Sequence, residues 1–464
     1  MPFHMRAFVG AALISLAATS LAAQATPYLT LDDPRLPLLE HLIARGDVED
    51  PSPMIRPFTI GDAIRVLTAA DTAPARSIGA LIHRLREQLA LPAGEQWWRF
   101  ETRLGGEAYT QKRRDPLHLG GPGTGNPYFD IGGWAAFGPV VAAVRPALQP
   151  SLIGDPDWPN HEQQNLTTHL IEGYLSGQWK FLRLDFGQLD RNWGPVGLPG
   201  IPISNVGYER HALAIDLGNR VLRLQAVGVD LRQQPDSLGQ TVNRFFFAHR
   251  LSARLSNRVQ AALWETLVIS GVGRTFELPF ANPLSPSVLT NSFGIAGTGS
   301  NVMIGTDLTW RFRGRATFQA QLALDDFWFN HRNQKQDRWA LTLMAYGPLG
   351  NRLAWRVAYT QVSSLALRTA NPQENFTDLG VGIGRNFSDM DQTWASVRIP
   401  VANRWLVTPE AVFQRQGQGK IDDPYPLPDA NGNQITPMFL IGTVEKTARF
   451  GVSVSGTEGP VDLV

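Results

Sequence analysis

A chain of 464 residues with a formal net charge of +1 carries no basic excess with which to hold nucleic acid. The absence of cysteine excludes a disulfide scaffold and any thiolate metal site. Charged residues are 18 % of the chain, against about 25 % in an average protein, yet beyond the N-terminus no stretch supplies the ~20 apolar residues of a membrane-spanning helix, so the apolar residues are spread singly.

Residues 1–25 read as a secretory signal peptide. His4 and Arg6 make a weakly basic start, and Ala7 to Ala18 form an apolar core. Ser20-Leu21-Ala22 and Ala23-Gln24-Ala25 place small residues at cleavage positions. The mature chain is therefore expected outside the cytoplasm. Residues 26–95 predict a small periplasmic helical segment. Asp32-Asp33-Pro34 caps a first helix carrying Leu36, Leu39, Leu42 and Ile43, with Gly46 as its stop. Thr59, with Asp62 three residues on, caps a second helix. Ile78, Leu81, Ile82, Leu85 and Leu89 stripe a third. His41 and His83 have no partner at metal spacing and are expected at the surface.

From residue 96 to 464 the period changes from helical to two. Leu308, Trp310 and Phe312 alternate with Asp307, Thr309 and Arg311. Ala316, Phe318, Ala320, Leu322 and Leu324 alternate with Thr317, Gln319, Gln321 and Asp325, and Leu353, Trp355, Val357 and Tyr359 with Ala354, Arg356 and Thr360. Each run suits the ~9–11 residues of a tilted strand crossing a bilayer. Hairpins are expected at Gly314, at Ser256-Asn257 and around Gly347 to Asn351, and long Gly/Pro/Asn-rich loops separate them. Weaker strand candidates lie near 376–384 and 437–443. The expected fold is an all-β transmembrane barrel of about 16–18 antiparallel strands, closed because lipid offers no partner for backbone N–H and C=O groups. Its outer face meets outer-membrane lipid and its lumen is polar. Trp310, Trp339, Trp355, Tyr346, Tyr359 and Trp405 are expected in interfacial girdles.

One alternating strand ends in an unusual run, Asp185-Phe186-Gly187-Gln188-Leu189-Asp190-Arg191-Asn192-Trp193-Gly194-Pro195, which continues through Gly197, Pro199, Gly200 and Pro202 to Ser204-Asn205. Glycine and proline at this density preclude regular helix or sheet. Asp190 to Pro195 with Ser204-Asn205 resembles a signature of the Wzi-type capsule assembly proteins of the bacterial outer membrane. So do Arg56-Pro57-Phe58-Thr59, Ala248-His249-Arg250-Leu251, Trp264-Glu265, Phe276-Glu277-Leu278, Asn282-Pro283-Leu284 and Gln321 to Phe327, in that family's order and spacing. Asn192 stands where the family has Trp, and Val196 where it has Gly. The resemblance covers most of the chain from about residue 30. It implies a barrel with a periplasmic helical bundle and a non-enzymatic role, binding surface polysaccharide and helping capsule or exopolysaccharide assembly or attachment.

The residues themselves give no enzyme constellation. None of the nine histidines sits at zinc spacing. The adjacent pairs Asp325-Asp326 and Asp422-Asp423 point to opposite faces if extended, so they make poor acid/base dyads. No catalytic residue, metal or cofactor is expected. Sugar binding asks only for aromatic faces and planar polar groups. The candidates are Asp190, Arg191 and Trp193 in the long run, Arg274 and Glu277 in a loop, and Asp326 and Trp328 at a strand end. The first three equally suit a brace inside the barrel. The expected partner is a surface polysaccharide and the expected state a monomer; the alternative is an outer-membrane diffusion channel or transporter for small solutes.

Overall fold

The computed structural model describes residues 25–463 apart from 71–77, 92–97, 108–125, 151, 153–157, 159–166, 288–298, 313–315, 327–335, 424, 427–428, 434–435 and 459–460. The signal segment up to residue 24, the turn at Gly314 and Trp328 lie outside the described residues.

The chain begins with two short strands, β1 (Tyr28–Leu29) and β2 (Phe58–Thr59), paired antiparallel around helix α1 (Leu36–Arg45). Helices α2 (Ile60–Thr68) and α3 (Gly79–Leu89) follow. The expected caps at Gly46 and Thr59 act as their chemistry dictates, whereas α1 starts after Arg35 with no side-chain cap, Asp33 accepting from the Arg35 N–H at 2.8 Å instead. Gly46 ends α1 in the left-handed region at φ 78°, and its N–H bonds back to Ile43. Thr59 Oγ1 accepts from the Asp62 N–H at 3.1 Å to start α2. Leu39, Leu42, Ala63, Leu67, Ile82 and Leu85 then form a dry core that also takes in Leu406 from the barrel wall. Each such leucine, fully buried, contributes roughly 1.5–3 kcal/mol.

The wall consists of β3 (Trp98–Glu107), β4 (Asn126–Phe137), β5 (Val140–Leu148), β6 (Thr168–Gln178), β7 (Leu182–Gln188), β8 (His211–Gly218), β9 (Leu222–Pro235), β10 (Thr241–Arg254) and β11 (Val259–Val272). It continues through β12 (Ser300–Phe312), β13 (Ala316–Asp326), β14 (Arg338–Leu349) and β15 (Leu353–Val362). After a two-stranded insertion, β16 (Thr377–Asp378) and β17 (Val381–Gly382), it ends with β18 (Met390–Val401), β19 (Trp405–Gln416), β20 (Glu445–Glu458) and the short β21 (Val461–Leu463). All wall pairings with an assigned register are antiparallel, and the strands form a closed barrel with β21 between β20 and β3. Tight turns follow β4, β6, β8, β10, β15's predecessor β14, and β18; the long connections lie at the other end.

The period of two sorts the side chains. Between β12 and β13 the pairs Asp307↔Gln321 and Thr309↔Gln319 face the lumen, while Trp310↔Phe318 face outward. Many outward apolar side chains are exposed, among them Phe186 and Leu263 at 67 % and Leu104 at 84 %, as a lipid-facing belt requires. Trp98, Phe137, Phe181, Trp310 and Phe312 add exposed aromatic rings near the tight-turn end, where a girdle belongs. In barrels of this kind the tight turns face the periplasm and the long loops the exterior. The helical segment closes the tight-turn end: Arg45 donates to the Leu353 carbonyl at 2.8 Å, and Arg254 pairs with Glu49 at 2.9 Å.

Four further expectations need correction. Tyr346 is not in a girdle; it shares strand parity with Ala340, Thr342 and Met344, so it faces the lumen and packs beside Ala44. His41 is not at the surface but fully buried, because α1 lies between its own bundle and the wall. The segment 376–384 supplies β16 and β17 inside the barrel rather than wall strands; Phe376, Thr377, Asp378, Val381 and Ile383 are all buried, leaving no face for lipid. Residues 437–443 form no strand, since Leu440 (φ 58°) and Gly442 (φ 65°) break the extended backbone.

Burial, aided by the Arg398 charge, pushes the pKa of His41 down to about 3. The native state therefore refuses a proton that the unfolded chain takes up below its ordinary value of about 6.5. This contribution is complete above that value and lost as pH falls through the window toward 3. Thermal unfolding in detergent micelles at neutral pH and near pH 5 is expected to show an acid-induced drop in Tm for the wild type and a smaller one for His41→Leu.

Candidate functional site

After β7 the chain turns into the barrel instead of out of it. Trp193, 2 % exposed, lies in the central core with Ile55, Ile201, Ile203, Phe246 and Trp264. A loop in this position has backbone groups with no secondary-structure partner, and such groups must be satisfied. The wall supplies the partners. Gln321 accepts from the Ile201 N–H at 2.7 Å and donates to the Trp193 carbonyl at 2.9 Å, and Gln319 accepts from the Val196 N–H at 3.1 Å. Asp307 takes a further Gln321 amide bond at 2.9 Å together with Trp264 Nε1 and Arg250 Nε, both at 2.9 Å.

The loop also holds itself. Asn192 accepts from the Gly200 N–H at 2.7 Å and donates to the Leu198 carbonyl at 2.8 Å. Gly194 and Gly200 cross so closely that a Cβ on Gly200 would stand 1.9 Å from the Trp193 carbonyl oxygen, so glycine is required there. From below, Arg56 and Asn192 exchange two backbone hydrogen bonds, 2.8 and 3.0 Å, joining the loop to the helical segment. From above, the 363–389 connection docks on it: the Ser204 N–H donates to Ile383 at 2.9 Å and its hydroxyl to Gly384 at 2.6 Å. Arg385 of that connection is buried and donates to Thr360 at 2.8 Å. Two loops and the helical segment thus form one plug.

Among the sequence candidates, Asp190, Arg191 and Trp193 are brought together in the plug. Arg191 is buried, 3.5 Å from Asp185, which also accepts from the Tyr28 hydroxyl at 2.8 Å. Arg274 and Glu277 pair with each other at 2.8 Å, far from the plug. They belong to a strap whose Phe276 and Phe280 pack on Phe245, Phe247, Leu267 and Ile269, outward-facing residues of β10 and β11. Asp326 ends β13, its backbone opposite Arg338. These residues do not converge on one site.

A different group does converge, at the long-loop end. The Trp158 ring meets Tyr208 at 5.1 Å and His169 at 5.5 Å, both edge-on. Arg232 lies 5.9 Å over Tyr208 and pairs with Asp378 at 2.6 Å; Arg210 approaches the same carboxylate at 3.6 Å. His169 contacts Gln149 at 3.1 Å and Glu209 at 3.4 Å. Asp190 stands below, its carboxyl held well above the ordinary range, first by removal from water and then by the like charge of Glu209. These aromatic and planar polar groups come from three connections and two strands, so no spacing announces them. The one local signal was a tryptophan inside the polar loop 150–166.

No protein-family model matches the sequence, and no curated protein matches it. Its fold is similar to that of Wzi, an outer membrane protein involved in group 1 capsule assembly in Escherichia coli and a carbohydrate-binding β-barrel. The identity is 13 % over 87 % of this chain and 88 % of that one, with a TM-score of 0.60. Looser overlaps occur with OmpF of Salmonella typhi (9 % identity, 77 % and 97 % of the two chains, TM-score 0.38) and with the outer membrane channel DcaP of Acinetobacter baumannii (9 %, 76 % and 96 %, 0.40). The chain has the fold of an outer-membrane β-barrel.

Two outcomes follow from the plug. Trp193→Ala is expected to cost about 3–5 kcal/mol, as for other buried large-to-small changes, read as a lowered unfolding midpoint in urea. A carboxyl with a raised folded pKa keeps a proton that the unfolded chain loses above about 3.9. Stability therefore falls as pH rises from that value, and Asp190→Asn, which cannot ionise, is expected to gain Tm over the wild type increasingly as pH is raised above about 4.

Proposed function

We propose that this protein is a non-enzymatic binder of an acidic surface polysaccharide, acting as a monomer at the outside of the outer membrane to help attach or organise that polymer. The observation that carries the reading is the Trp158, Tyr208, His169, Arg232 cluster placed at the mouth of a barrel whose lumen is filled. Sugar C–H faces pack on indole and phenol rings, and guanidinium groups bind uronate carboxylates through charge-assisted bonds. A filled lumen serves such a role well, because the polymer is then retained at the mouth instead of threading through. The same filling weighs against the diffusion-channel alternative. The shared fold with a carbohydrate-binding barrel adds support.

Asp190, Arg191 and Trp193 take an architectural part in this reading, holding the plug on which Tyr208 and Glu209 are mounted. Retention of the native acidic polysaccharide by cells carrying the protein checks the proposal. Trp158→Ala and Arg232→Gln are expected to lower retention several-fold with normal amounts of folded protein in the membrane, whereas Arg274→Gln on the outer wall is expected to leave it unchanged. Failure of the wild type to retain any acidic polysaccharide of its own envelope would sink the reading.

A further inference from the structure

We propose that the periplasmic end of the lumen contains a second site, for a small oxyanion (a carboxylate or a phosphate), centred on Arg356. A cavity of about 260 Å³ lies there between strands β15, β18, β19 and β20 and the plug residues Gly197 and Pro199, with Pro37 at the start of α1 completing it. It is separated from the mouth cluster by the plug, and the inference does not rest on polysaccharide binding.

Arg356 and Arg398 both line the cavity and are 6 % and 5 % exposed. Their situations differ. Arg398 donates to Glu40 at 3.1 Å. Arg356 has no carboxylate at ion-pair distance among the described residues. Its Nε donates to Ser396 Oγ at 3.0 Å, its guanidinium lies 4.5 Å over the Trp394 ring, and its Nη1 is buried without a partner. The neighbouring carboxylates are engaged elsewhere. Glu40 also serves Arg56 at 3.4 Å, and Glu410 accepts from Trp394 Nε1 at 3.1 Å and from Arg449 at 2.8 Å.

Arginine cannot relieve this by losing its proton. A charge removed from water and left unpaired costs several kcal/mol, and the missing counter-charge is the simplest remedy. The surroundings are prepared for one. Nη1 points at Gly197, where a Cβ would come within 2.5 Å of it and where the left-handed backbone (φ 75°) favours glycine. The Trp394 stack and the Ser396 bond fix the plane of the guanidinium, which presents a rigid fork of the kind that binds carboxylate or phosphate bidentately. Thr408, Ser453 and Ser455 line the facing wall with hydroxyls. The volume is just below the roughly 300–1,000 Å³ of drug-sized ligand sites. It therefore takes one charged group or one sugar acid, not a polymer.

Isothermal titration and thermal unfolding of the full chain in detergent micelles test this, with sodium phosphate, glucuronate and glucose as probes. The wild type is expected to bind at least one of the two anions, with a rise in Tm, and to ignore glucose. A preference for phosphate or for glucuronate tells a phosphorylated ligand from a sugar acid. Arg356→Gln is expected to weaken anion binding at least about ten-fold while unfolding, without ligand, no earlier than the wild type, because it removes an uncompensated charge. Arg356→Lys, which keeps the charge but not the fork, is expected to fall between. Equal responses to anions and glucose in the wild type, or undiminished anion binding in both Arg356 variants, would overturn the proposal.

Discussion

Gln321 grips two backbone groups of a segment 120 to 128 residues away in sequence, and most of this molecule's character depends on grips of that kind. A chain that enters a barrel lumen without forming helix or sheet brings in N–H and C=O groups that water can no longer serve. Leaving one such group unsatisfied costs about 1–3 kcal/mol. The lumen-facing side chains of β13 meet that cost directly, amide against amide, and Asp307 fixes the orientation of Gln321 through a bond to its Nε2. Asn192 and the Gly194–Gly200 crossing then let the loop fold compactly enough to fit between the walls. With the loop in place, the helical segment below and the 363–389 connection above have a surface on which to dock. A polar lumen here is a set of fitted sockets, not merely a wet face.

The wall was legible because a strand with lipid on one side and a plug on the other keeps a strict period of two. Phe318 with Gln319, or Trp355 with Arg356, declares its faces without knowledge of the partner strand. The caps at Gly46 and Thr59 were legible for a similar reason, since their chemistry is local. What the lumen contains was not. Tyr346 looks like a girdle residue until the strand register turns it inward, and His41 looks solvated until α1 is pressed against the wall. The run from Asp185 to Asn205 announced irregular backbone, but its inward direction is set by contacts with Gln319, Gln321 and Arg56 that no local pattern encodes. The mouth cluster draws Trp158, Tyr208 and Asp378 from three separate connections. That kind of convergence exists only after folding.

Charge distribution along the barrel axis separates two kinds of arginine. At the mouth, Arg232 and Arg210 share Asp378, with Glu209 and the carboxyl of Asp190 beside them. Near the periplasmic end, Arg398 and Arg56 share Glu40, while Arg356 is left facing a cavity. The plug thus divides the lumen into an outer face built from rings and ion pairs and an inner chamber with an uncompensated cation. A solute path would need both to be continuous, and the core around Trp193 lies between them.

Single-channel recording in planar bilayers tests this account most directly. The plugged lumen predicts that the wild-type protein passes little ionic current at moderate voltage, and that replacing residues 193–203 by a flexible Gly/Ser segment of equal length opens a steady conductance. A stable open-channel current from the wild type would contradict it.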